Sequence, residues 1–151
     1  MIRPSRVLFI AEGQLGDLLL LTPALRALKK TFPDACISVL ILERGFSETP
    51  PGLPLVRTGM ETVLSTNLNV DETYVVSRAT LRSLRGLARV RAELNIVHFL
   101  RSKRFDTVVC TFPEDRFTFW AYASGADVRV GERGQGFAAL LTHALPIHKS
   151  E

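Results

Sequence analysis

Two kinds of apolar pattern alternate along the chain. Residues 6–11 (RVLFIA), 36–42 (CISVLIL), 71–77 (DETYVVS), 105–112 (FDTVVCTF) and 127–132 (DVRVGE) are rich in aliphatic, β-branched and aromatic side chains. The first two are apolar without alternation, which predicts strands buried on both faces, as in a parallel sheet. Between these runs lie longer segments rich in helix formers: 17–32 (DLLLLTPALRALKKTF), 80–103 (TLRSLRGLARVRAELNIVHFLRSK) and 114–126 (EDRFTFWAYASGA). In the middle one, Leu81, Leu84, Leu87, Val90, Leu94 and Val97 recur at spacings of three and four. That spacing predicts one helix with these residues on its buried face. Pro23 either kinks the first helix or starts a second one, with Thr22 as its cap.

The strand, helix and strand that open the chain form a βαβ unit. Residues 43–59, with three prolines and three glycines, predict a loop. A short helix is predicted over 60–66, and the tail from Arg133 predicts a loop and a short apolar segment. The alternation as a whole predicts one α/β domain over 1–151, a Rossmann-like, doubly wound parallel sheet.

Composition narrows the class. A chain of 151 residues, 46% hydrophobic and 23% charged, suits a globular domain whose core needs no disulfide or metal staple. Cys36 and Cys110 sit in apolar runs outside any CxxC spacing, so packed, reduced thiols and a cytoplasmic location are expected. No apolar run approaches the roughly 18 residues of a membrane span. The N-terminus lacks a small-residue cleavage pattern, so no signal peptide is expected.

The formal net charge of +4 favours anionic partners without separating phosphate, nucleic acid and membrane surface. Arg78, Arg82, Arg85 and Arg89 fall at spacings of four, three and four, which on a helix makes one basic stripe. It reads either as a solvated face or as a set of contacts to phosphates or an anionic leaflet. No aromatics interleave with it and no nucleic-acid motif accompanies it, so no nucleic-acid partner is expected. His98, His143 and His148 are not spaced as metal ligands. The aromatic cluster at 116–122 (RFTFWAY) is expected to pack in the core.

The most informative stretch is AEGQLGDLLLL, residues 11–21. In open α/β sheets, ligands bind beyond the carboxyl ends of the strands, and EGQLG is the predicted turn at such an end. Gly13 and Gly16 allow a tight turn and close approach to a ligand. The spacing G-x-x-G followed by an acid is neither G-x-G-x-x-G nor G-x-x-x-x-G-K-[ST]. An acid at the helix start also repels phosphate, which argues against nucleotide binding here. Asp17 then has two compatible readings: a helix-start residue, or a general base at the mouth of a cleft. Glu12 either shares acid/base work or flanks the turn.

The stretch VLFIAEGQLGDLLLLTPALRALKKTFPDACISVLI resembles the N-terminal motif of glycosyltransferase family 9, the ADP-heptose:lipopolysaccharide heptosyltransferases. Gly16-Asp17, Pro23-Ala24-Leu25, Leu28-Lys29 and Phe32-Pro33-Asp34-Ala35 fall in the places of that motif. Later stretches (VDETYVV, RFDTVVCTFPEDRFTFWAYASGADVRVGER, LTHALPIH) look like further landmarks of the same half. The resemblance implies the N-terminal, acceptor-side half of a GT-B fold, in an inverting enzyme that needs no metal. It implies Asp17 as catalytic base, Gly13, Gln14 and Gly16 as the acceptor-facing loop, and Arg116 at the acceptor cleft. The arginine stripe would meet acceptor phosphates.

By the same resemblance the nucleotide-sugar, ADP-heptose, belongs to a C-terminal domain that does not follow Glu151. The chain alone is therefore expected not to transfer sugar. Its acceptor would be a lipopolysaccharide-core glycan. Peripheral contact with the inner face of the cytoplasmic membrane and self-association through an exposed cleft are further expectations. The alternative is a non-catalytic Rossmann-like module that binds an anionic glycan or a protein partner.

Overall fold

The computed structural model describes residues 3–13, 15–43, 64, 66–133 and 136–146. Strand β1 (Arg6–Gly13) leads into helix α1 (Leu15–Thr31) and β2 (Cys36–Glu43). Then come β3 (Glu72–Ser77), α2 (Arg78–Ser83), α3 (Gly86–Lys103), β4 (Thr107–Cys110), α4 (Asp115–Ala123) and β5 (Val128–Glu132). A 3₁₀ turn at Ala138–Leu140 and a short strand β6 (His143–Leu145) complete the order. The six strands form one sheet in the order β3-β2-β1-β4-β5-β6. Every pairing is parallel, from Arg6 opposite Cys36 to Glu132 opposite Leu145. This is the strand order of the doubly wound dinucleotide-binding fold, with its topological switch between β1 and β4.

The central strands are apolar without alternation because both faces of the sheet are covered. Leu8, Ile10, Leu40, Leu42, Val76 and Val108 face one layer and pack against α2, α3 and α4 through Leu81, Ile96, Leu100, Phe117 and Trp120. Val7, Phe9, Ala11, Ile37, Val39 and Ile41 face the other layer and pack under Leu18, Leu21 and Leu25 of α1. Successive side chains of one strand serve opposite cores, so each core face of the sequence has a period of two. Pro23 lies inside a single α1. At the amino edge of the sheet Asp106 holds the chain entry: its Oδ2 accepts from Ser5 N (2.8 Å), Ser5 Oγ (2.6 Å) and Arg6 N (2.9 Å).

Residues 80–103 do not form one helix. Leu84 and Arg85 are extended, with φ −74° and −128°, and they separate α2 from α3. Leu81 stays buried, but Leu87, Val90 and Leu94 are 88%, 55% and 60% exposed. Ala92, Ile96 and Leu100 form the buried face of α3 instead. Both sets have helical spacing, and an interaction outside the helix selects between them. Trp120 Nε1 of α4 donates to Glu93 Oε2 at 2.7 Å, and Arg116 Nε lies 3.2 Å from Glu93 Oε1. Turning Glu93 toward α4 turns Leu87, Val90 and Leu94 away from the sheet.

The basic stripe divides for the same reason. Arg78 is drawn into the carboxyl edge of the sheet, whereas Arg82, Arg85 and Arg89 are exposed. Of the aromatic cluster, Phe117 and Trp120 are buried and stacked, with centroids 6.0 Å apart. Phe119 and Tyr122 lie on the exposed side of α4. The apolar tail segment is β6, a strand too short for its pattern to reveal. The loop at 43–59, beyond Glu43 itself, lies outside the described residues. So does the short helix at 60–66, apart from Leu64 and Thr66.

Candidate functional site

The carboxyl ends of β1 and β4 flank the switch point, and Glu12, Asp17, Arg78 and Arg116 line depressions there. β1 runs on through Glu12 to Gly13, and α1 begins at Leu15. The turn is therefore shorter than the EGQLG segment, with Gln14 alone between the two elements. Gln14 itself lies outside the described residues. Asp17 falls in the first turn of α1, the position where a carboxylate complements the helix dipole.

The phase of α1 is set by Leu18, Leu21 and Leu25, which are buried against the sheet. Asp17, Leu20, Leu21 and Ala24 follow at i, i+3, i+4 and i+7, which is one stripe of a helix. All four line a cavity of about 620 Å³ together with Phe9, Ala11, Glu12, Val109, Thr111 and Phe112. Leu20 is 80% exposed because it forms a wall of this cavity. The run of four leucines is thus divided between core and cavity. The lining is mainly apolar, with a few polar groups, as in ordinary ligand pockets.

Gly13 seats the Asp17 side chain. Its φ is +146°, and a Cβ placed on it would fall 2.7 Å from Asp17 Cβ and 2.8 Å from Asp17 Cγ. A larger residue at 13 would therefore displace the carboxylate. Gly16 has a different environment: a Cβ there would meet nothing within 4 Å. It lies inside α1 and plays no part in seating Asp17.

A second depression of about 400 Å³ adjoins the first, and Glu12 and Phe112 line both. It is also lined by Arg78, Pro113, Glu114, Asp115 and Arg116. The partner that orients Glu12 comes from another element. Nothing nearby in sequence orients it, yet it is 6% exposed and ion-paired with Arg78. Arg78 also reaches Glu114, with Nη2 3.7 Å from Oε1. A buried carboxylate needs such a partner. Arg78 follows directly after β3, so the pair ties the edge of β3 to the end of β1.

Arg78 is thus held by two carboxylates, which assigns it to structure before ligand binding. Arg116 lines the same depression. Its guanidinium is engaged by Glu93 and sits over the Trp120 ring at 5.9 Å. Arg82, Arg85 and Arg89 line neither depression. Among the described residues no group of three His, Cys, Asp or Glu side chains is placed to hold a metal ion. His148 lies outside those residues. Burial pushes the Cys110 thiol up to about 12, which marks it as a packed thiol and not a nucleophile.

No protein-family profile matches the chain, and no curated protein matches it either. Solved structures do. The crystal structure of the glycosyl transferase family 9 protein from Veillonella parvula matches with a TM-score of 0.71 and 20% identity, over 93% of this chain and 36% of that one. The Escherichia coli ADP-heptose LPS heptosyltransferase II matches with a TM-score of 0.64 and 20% identity, over 90% of this chain and 33% of that one. The E. coli heptosyltransferase WaaC with ADP-2-deoxy-2-fluoro heptose matches with a TM-score of 0.70 and 16% identity, over 97% of this chain and 44% of that one. The chain is therefore similar in fold to part of these glycosyltransferases, and it spans a third to under half of their length.

Proposed function

We propose that this domain is the acceptor-side half of an inverting glycosyltransferase of the heptosyltransferase kind, with Asp17 as its general base. The observation that carries the reading is the meeting of two independent facts at one place. The fold is that of family 9 glycosyltransferase structures. The acid picked out by sequence lines a cavity at the switch point of the sheet, where such folds bind ligands.

The chemistry follows from the cavity. An acceptor sugar lies in the apolar lobe, its C–H face against Phe112 and Leu20 and one hydroxyl at the Asp17 carboxylate. The carboxylate takes that hydroxyl's proton as the oxygen attacks the anomeric carbon of the donor. The nucleotide diphosphate leaves from the opposite face, so the configuration inverts. A positioned base of this kind contributes about 10²–10⁴ in rate. Gly13 keeps the carboxylate in place. The donor, a nucleotide-sugar with ADP-heptose the first choice, binds a second domain outside these 151 residues. A lipopolysaccharide-core glycan is the first choice of acceptor.

The test is sugar transfer from ADP-heptose to a panel of inner-core acceptors, with the donor domain supplied in the same polypeptide or in trans. Asp17→Asn is run alongside. Transfer that falls about a hundredfold or more in the variant supports the reading. Transfer unchanged by the substitution makes Asp17 a helix-start residue and moves the base elsewhere. Binding of acceptor glycans without transfer from any nucleotide-sugar supports the alternative, a non-catalytic binding module.

A further inference from the structure

The chain is basic as a whole, with a formal net charge of +4, yet its cleft is acidic. Glu12, Asp17, Glu114 and Asp115 line the two depressions, and Arg78 and Arg116 are the only cations beside them among the described residues. Both arginines are already engaged. Arg78 pairs with Glu12 and Glu114, and Arg116 pairs with Glu93. Their side chains are only 19% and 17% exposed. The start of α4, where a helix dipole would attract an anion, carries Glu114 as its cap and Asp115 in its first turn. Asp115 accepts from the backbone N–H of Phe137 at 3.0 Å, a neutral donor that leaves its charge uncancelled. A phosphate or carboxylate in this cleft would therefore meet more negative charge than positive.

The larger cavity selects in a second way. Of its polar side chains, Thr111 donates its hydroxyl to Ile10 O at 3.1 Å, and Glu12 is turned to Arg78. The rest of the lining beside Asp17 is apolar: Phe9, Leu20, Leu21, Val109 and Phe112, with two alanines. Its volume of about 620 Å³ exceeds that of one pyranose ring. A bare polyol filling it would leave hydroxyls without partners, at a cost in binding. We propose that the acceptor residue this cleft takes is an uncharged sugar carrying an apolar substituent. One hydroxyl sits at Asp17 and the substituent fills the apolar lobe. The inference rests on the acceptor-side reading above and narrows it, because it excludes phosphorylated and carboxylated sugars from the site. Charge selects against the anion and the lobe selects for the apolar group, through different residues.

The test follows amide shifts of the isotope-labelled full chain as glycosides are added. Phenyl glycosides of glucose, galactose and mannose are compared with the methyl glycosides and the phenyl uronides of the same sugars. At least one phenyl glycoside is expected to bind about tenfold or more tighter than its methyl counterpart, and tighter than its uronide by a similar factor. Its shifts should concentrate at Leu20, Leu21 and Phe112. Leu20→Asn, a change at an exposed side chain, should remove the phenyl preference. Glu114→Gln takes away an acid and one partner of Arg78, so it should bring the uronide to within about threefold of the neutral glycoside. The amide spectrum verifies the fold of each variant, and the wild-type ratios decide the proposal without them. Uronides that bind as tightly as the neutral glycosides overturn it. So do methyl glycosides that match the phenyl ones, and so does a cavity lining that shifts with none of these compounds. No readout here involves transfer. If the ratios hold while Asp17→Asn leaves transfer intact, the acceptor class stands and the base lies elsewhere. If the ratios fail while Asp17→Asn abolishes transfer, the base stands and the acceptor class falls.

Discussion

Replacing Gly13 by alanine tests the seat of Asp17 directly. The backbone there has φ +146°, a region costly for any residue with a Cβ, at about 1–3 kcal/mol. The added methyl would also lie 2.7 Å from Asp17 Cβ and 2.8 Å from its Cγ. That is inside van der Waals contact, and overpacking of this kind costs about 1–3 kcal/mol more. Together these set a floor of about 2 kcal/mol on the loss. Gly16→Ala is the internal control. It lies three residues away, within α1, and its new Cβ meets nothing within 4 Å. It should stabilise the protein by about 0.4–1 kcal/mol, through helix propensity and a less free unfolded chain.

Urea denaturation, monitored by tryptophan fluorescence and circular dichroism, measures both variants. A further variant, Gly13→Ala/Asp17→Ala, isolates the contact. Removing the Asp17 carboxyl group relieves part of the clash and leaves the backbone cost, so the double variant should lose less than the sum of the single ones. Equal midpoints for Gly13→Ala and Gly16→Ala would refute this account of the turn. Strict additivity in the double variant would refute the contact between Gly13 and Asp17 while leaving the backbone cost in place.

Other predictions follow from single features. Arg78→Ala should destabilise by about 3–5 kcal/mol, because the buried Glu12 loses its guanidinium partner. Arg78→Ala/Glu12→Gln should recover much of that loss in the same denaturation assay. Asp71 and Asp106 contribute to acid stability. Burial raises both carboxyls, but hydrogen bonds reverse this and hold them below their usual 3.8: from Ile37 and Lys29 at Asp71, and from Ser5 and Arg6 at Asp106. A lowered folded value means stabilisation that is complete above 3.8 and is lost as pH falls through the folded values. Urea midpoints should therefore decline below that pH, and less steeply in Asp106→Asn. Arg104 ends α3 in the left-handed region at φ 54°, so Arg104→Gly should raise stability by about 0.5–1 kcal/mol. Cys110, buried and with its thiol pushed up to about 12, should react with a thiol reagent only after unfolding, and Cys36 well before it.

Features that depend on neighbours in the chain were legible in the residue pattern alone. The unbroken apolar runs at RVLFIA and CISVLIL marked strands covered on both faces, because a strand with one face in water tends to alternate apolar and polar residues. The Gly-Asp turn marked the start of a helix at the edge where ligands bind. The landmarks around it pointed to the glycosyltransferase fold that the solved structures match. Other features depended on partners far away in the chain and emerged only when the elements packed together. Spacing marked the stripe of Leu87, Val90 and Leu94 as a buried face, and the structure exposes it and buries Ala92, Ile96 and Leu100 instead. The bonds from Trp120 and Arg116 to Glu93 made that choice, and they come from another helix. Arg78 belonged to a regular basic stripe until the end of β1 presented Glu12, whose burial demanded a cation. Gly13 and Gly16 read alike as turn glycines, yet only Gly13 has the Asp17 side chain where a Cβ would stand. Periodicity records which residues share a face. Which face is buried, and which charge meets which, is fixed when the sheet closes and every buried polar group must find a partner.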